Sequence, residues 1–91
     1  MRIVSAAVKI FEENLQKEIT IPCHRHCDAF YILKEFGYKP TTGYKEIAQG
    51  FLDEHWNFVD RVAAHKIAYD AGQIPHDEPY KPTELYSEDL W

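Results

Sequence analysis

The sequence predicts a small α+β domain of order ββαββα, two antiparallel hairpins each followed by a helix, with an extended acidic C-terminal arm. Three observations carry this prediction. Residues Arg2 to Phe11 alternate with a period of two, as a strand with one face on a core does. Two later stretches, Ala29-Ile32-Leu33-Phe36 and Ala64-Ile67-Ala68-Ala71, repeat the i, i+3, i+4, i+7 spacing of an amphipathic helix, and each is followed by a glycine, Gly37 and Gly72, suited to a left-handed stop. From Pro75 onward, prolines and acidic residues replace both periodicities. The expected organisation is one domain over residues 1–75 and an arm over 76–91.

Along the chain, Val4, Ala6, Val8 and Ile10 alternate with Ile3, Ser5, Ala7 and Lys9 to give the first strand. A polar turn over Glu12 to Lys17 leads to a second strand, Glu18-Ile19-Thr20-Ile21, ended by Pro22, which lacks the N–H a ladder needs. A helix over Ala6 to Lys17 competes, because Glu12, Glu13, Leu15 and Gln16 favour helix. The first helix is expected from Ala29, with Cys23 to Asp28 at its N-terminal end. Pro40 and Gly43 mark a loop, and Lys45 to Ala48 read as a turn. Gln49 to Leu52 and Trp56 to Val59 flank Asp53-Glu54-His55, a connection of hairpin length. Asp60 is placed as N-cap of the second helix, with Arg61 in its first turn. The offset between the two helices, Ala29 to Ala64 and Gly37 to Gly72, hints at a repeated hairpin-helix unit.

Size and charge narrow the function. A chain of 91 residues buries a limited core, so a homodimer or larger ring is expected. Of the net charge of −5, −4 falls after residue 75, where five acidic residues face one lysine. A near-neutral body with three arginines argues against general duplex-DNA binding. The longest mostly apolar run, Ile3 to Phe11, is far short of the roughly 20 residues of a membrane span, and no signal-peptide pattern is present, so no membrane partner is expected. In a reducing compartment Cys23 and Cys27 are expected as thiols.

Cys23, His24, His26 and Cys27 are zinc-ligand types, but four ligands within five residues rarely aim at one ion, and no spacing selects His55, His65 or His76 to complete a site. A thiol or imidazole catalyst is a further reading, and helix capping by Asp28 accounts for the same residues. No metal, cofactor or catalytic set is therefore assigned. Arg25 and Arg61 each stand near an aspartate, Asp28 and Asp60, at a predicted helix start. If both helix N-termini face one pocket, the two guanidinium groups suit phosphate oxygens, and Phe51, Trp56, Phe58 or Tyr86 could stack on a base.

Ser5-Ala6-Ala7, Arg25-His26-x-Asp28, Gln49-Gly50-Phe51-Leu52, Phe58-Val59-Asp60-Arg61, Ala71-Gly72-Gln73-Ile74 and Leu85-Tyr86-Ser87-Glu88-Asp89-Leu90-Trp91, in this order, resemble a family of small phage-encoded proteins across nearly the whole chain. More loosely, the chain resembles the phage anti-defence sponges that sequester nucleotide signals of immune systems such as Thoeris and CBASS. The resemblance implies the cytoplasm of an infected bacterial host as the setting. Together with the paired arginines, it leads to an expected function: sequestering a phosphorylated nucleotide, cyclic ones included, without catalysis. The expected ligand-binding residues are Arg25, His26, Asp28, Phe51, Arg61 and Tyr86. Two alternatives stand beside it, direct inhibition of a host defence protein through the acidic arm, and a small nucleotide hydrolase using His26 and Asp28 as acid and base.

Overall fold

The computed structural model describes residues 1–39, 42–75 and 81–91. Four strands and two helices follow the predicted order: β1 (Ile3–Glu12), β2 (Lys17–Cys23), α1 (His26–Glu35), β3 (Tyr44–Asp53), β4 (Phe58–Asp60) and α2 (Arg61–Asp70), with a short 3₁₀ turn over Ser87–Asp89. The strands form one antiparallel sheet in the order β2-β1-β3-β4. The two hairpins are thus joined through β1 and β3, and both helices pack on the sheet.

Period-two alternation in β1 sends Ala6, Val8 and Ile10 into the core, and Phe51 stands opposite Ala6 on β3. Ala29 and Leu33 of α1, with Ala64 and Ala68 of α2, close over this layer. Alanine at the contact positions lets α2 sit close to the strands, as small side chains permit short interaxial distances. Leu85 completes the core with no exposed surface. Leu85, within the expected arm, thus packs in the same core as the sheet and helices, and residues 76–80 of that arm lie outside the described residues. Gln73, just past α2, ties the helix end to the first strand, its amide exchanging hydrogen bonds of 2.8 Å with both the N–H and the carbonyl of Ile3.

Several boundaries differ from expectation for identifiable reasons. β1 forms as expected and runs one residue further, to Glu12, and the competing helix over Ala6 to Lys17 does not form, because the alternating apolar face outweighs the helix-favouring residues. Pro22 does not end β2: the strand lies at the sheet edge, where a missing outward N–H costs no ladder bond. The first helix starts at His26, not Ala29, so His26, Cys27 and Asp28 form its first turn. Lys45 to Ala48 are part of β3, not a turn. A register shift between Lys9 and Ile10 on β1 interrupts the pairing there, and with it the period that would mark a strand. Gly37 and Gly72 take the left-handed conformation, with φ of 96° and 71°, as helix stops require.

Candidate functional site

The N-termini of both helices lie against one segment, residues 84–91. At α2, Asp60 caps the helix, its carboxylate accepting from the Ala63 N–H at 2.7 Å. Arg61 follows as the first helical residue. Its guanidinium donates to Gln49 Oε1 at 2.6 Å and lies 4.9 Å from the centre of the Tyr86 ring. Its carbonyl accepts from the Leu85 N–H at 2.9 Å. Its Nε is buried with no hydrogen-bond partner.

At α1, Arg25 is the N-cap, and its N–H donates to Asp28 Oδ2 at 3.2 Å. Its guanidinium donates to the main-chain oxygen of Trp91 at 2.6 Å, while the Trp91 ring packs 5.6 Å from His24. Residues 84–91 therefore form a strap held at one end by Arg61 and at the other by Arg25. The 3₁₀ turn fixes its shape, with Asp89 Oδ2 accepting from the Tyr86 N–H at 2.9 Å and Ser87 buried beneath.

His26 lies between the two arginines in the sequence of contacts. It is buried, its Nε2 is 2.8 Å from the Gly50 carbonyl, and its ring meets the edge of Phe51 at 5.1 Å. A carbonyl only accepts, so Nε2 carries the proton. Burial lowers the His26 pKa, and the nearby Arg61 charge lowers it further, against the Gly50 bond. Glu88 on the strap is held below the usual carboxylate range by a main-chain N–H and Ser87, and then by the charges of Arg25 and His26. Tyr86 is pushed up by its hydrogen bond to Glu84, whose carboxylate accepts from the phenol at 2.9 Å.

Of the expected binding residues, Arg61 and Tyr86 lie together at one end of the strap and Arg25 at the other, with His26 buried beneath Gly50 and Phe51. Two residues take other work. Phe51 has no exposed surface, so as a core side chain it offers no face to a base, which corrects its placement among the stacking residues. Asp28 accepts the Arg25 N–H and serves the helix start.

A cleft of about 460 Å³ opens beside Arg61, lined by Glu46, Gln49, Asp60, Arg61, Val62 and Glu84. It carries three carboxylates against one guanidinium. Glu88 and Asp89, both exposed, extend the negative charge along the strap. Glu46, Gln49, Glu84 and Glu88 were not among the binding residues expected from the sequence. Their common location depends on β3 passing α2 and on the strap returning to it, and only the run of acids after residue 75 pointed that way.

A family model described as Phage T4 y16D protein matches residues 2–91. The chain belongs to that family. This makes it a small phage protein, as the ordered motifs indicated, and the match includes the strap as well as the sheet. No curated protein and no solved structure matches this member of the phage T4 y16D protein family. Among the described residues, no group of three or more His, Cys, Asp or Glu side chains is placed to hold a metal ion. Cys23 and Cys27 are free thiols, and burial, then the charge of Asp28, pushes the Cys23 thiol up to about 11. A thiol held so far above neutral pH is a poor nucleophile. Among the described residues, no helix is long and apolar enough to cross a membrane.

Proposed function

We propose that this phage protein works by direct contact with a host protein, receiving a basic surface of that partner at the acidic cleft and strap. The observation that carries this reading is the charge of the cleft, where Glu46, Asp60 and Glu84 surround the single guanidinium of Arg61. A phosphate entering there would meet net negative charge and a guanidinium already bonded to Gln49 and covered by Tyr86. A lysine- or arginine-rich surface would be attracted, and such attraction chiefly sets partner selection and encounter rate. Inhibition of a defence protein is one outcome of contact of this kind.

Sequestration of a phosphorylated nucleotide is the second reading. It is favoured by the convergence of Arg25, His26 and Arg61 on one strap, where the carboxylate of Glu88 already lies in the field of Arg25 and His26. Arg25 is exposed and Arg61 lines the cleft, whereas His26 is buried, so a nucleotide would have to displace the strap to reach His26.

One experiment separates the two. The intact protein is heated with cyclic dinucleotides, cyclic trinucleotides and ADP-ribose derivatives, and its melting temperature is followed. A ligand that binds only the folded state raises that temperature by mass action. Contact through the acidic face predicts no shift with any of them, and a concentration-dependent rise with one would transfer the assignment to sequestration.

A further inference from the structure

At the opposite end of the molecule, β2 forms one edge of the sheet, and among the described residues no strand pairs with its outer side. Beside it runs an apolar groove of about 370 Å³ between β2 and α1, where Ile19 and Ile21 face Ile32, Leu33 and Phe36. Phe36 is 77% exposed. We infer that this edge and groove are the contact between two copies of the chain, paired antiparallel about a two-fold axis through Ile19.

The main chain selects this arrangement. The Asp53 N–H donates to Asn57, so alternate residues of β3 address β4, and the paired registers carry the alternation across β1 to β2. Ile19, Ile21 and Cys23 address β1, while Glu18 and Thr20 turn their N–H and carbonyl groups outward. Pro22 also faces outward and has no N–H to give. Centring the pair on Ile19 sets Glu18 of one copy opposite Thr20 of the other, twice, so that four main-chain hydrogen bonds form and Pro22 falls beyond the ladder. Centring it on Thr20 would set Pro22 against Glu18 and leave two carbonyls without donors. Centring it on Glu18 would bring two glutamates face to face. The proline thus fixes one register.

Side chains agree with the same register. Ile19 meets its own copy on the helix-bearing face, next to Ile32 and Phe36, whose surfaces the second groove would cover. Glu18 lies opposite a threonine and Lys17 opposite Ile21, so no like charges are apposed. Local charges there are mixed, Lys17 with Glu18 and Lys34 with Glu35, whereas the acidic cleft lies at the helix N-termini. The assembly closes at two copies, because a two-fold contact uses the same β2 edge on both chains and leaves neither copy of that edge free.

The test is the mass of the full chain in solution by sedimentation equilibrium, with two variants. The wild type should have twice its chain mass of 10.7 kDa. Thr20→Pro removes an outward N–H without touching the ladder to β1, so it should be a folded monomer with an unchanged far-ultraviolet spectrum. Phe36→Glu should weaken the pair by placing two carboxylates at the shared groove, and it serves if Thr20→Pro fails to fold. A monomeric wild type at its highest soluble concentration overturns the inference, whatever other strand the edge then accepts. A dimer that persists in the folded variants overturns it as well.

Discussion

The two ends of this molecule treat their polar and apolar groups in opposite ways. At the helix N-termini, the chain returns to cover itself: Arg25 meets Trp91, Arg61 meets Gln49 and Tyr86, and Leu85 enters the core. At the β2 edge, main-chain groups of Glu18 and Thr20 face outward beside a groove that leaves Phe36 exposed. Self-satisfaction at one end leaves a net acidic surface, which under the proposed function receives a basic partner. The lack of it at the other leaves hydrogen-bonding and apolar groups in a pattern complementary to their own two-fold copy. The arginines, which a sequence reading marks as the natural anchors for an anion, are largely engaged by the protein itself.

The most severe way to break this contrast is to remove the strap's anchor. Leu85→Ala should cost about 2–5 kcal/mol of stability, the usual range for a buried leucine, measured by urea denaturation. It should also increase hydrogen exchange over residues 84–91 before the sheet is affected. A loss near zero would mean that the strap is not part of the core. A smaller effect is expected at the start of α2, where Asp60→Ala removes the cap on the Ala63 N–H and should cost about 1 kcal/mol, read in the same denaturation series.

The smallest effect sharpens the comparison through pH. His26 is buried with its pKa lowered, so the unfolded chain takes up a proton at this position more readily than the folded one. Stability should hold above about pH 6.5, the ordinary histidine value, and fall as the pH drops below it toward the folded pKa. His26→Gln should flatten that part of the curve. An unchanged slope in the variant would assign the pH dependence to other groups.

Legibility in the sequence followed the strength of each local signal. The alternation of β1, the cap at Asp60 and the stops at Gly37 and Gly72 were readable, because each depends on a few adjacent residues. The start of α1 was missed because His26, Cys27 and Asp28 break the apolar period, although an acidic residue in the first turn suits a helix N-terminus. The first half of β3 was missed where the register shift breaks its alternation. Arg25 and Arg61 were legible as a pair near helix starts. Their engagement was not, since it requires knowing that Trp91 and Tyr86 return across the sheet. The burial of Phe51 was within reach, because it precedes Leu52 in a short apolar run, and such runs belong to cores more often than to ligand sites.

The central claim, that the acidic end is a contact surface for a basic host protein, is tested most directly by reversing the charge of its cleft. Glu46 and Glu84 are both exposed, so the double variant Glu46→Lys with Glu84→Lys should fold as the wild type does. Immobilised wild-type protein should retain a discrete host protein from lysate at low salt and release it as salt rises, because screening weakens exposed charge pairs, and the double variant should not retain it. Retention of the same protein by both forms would contradict the account.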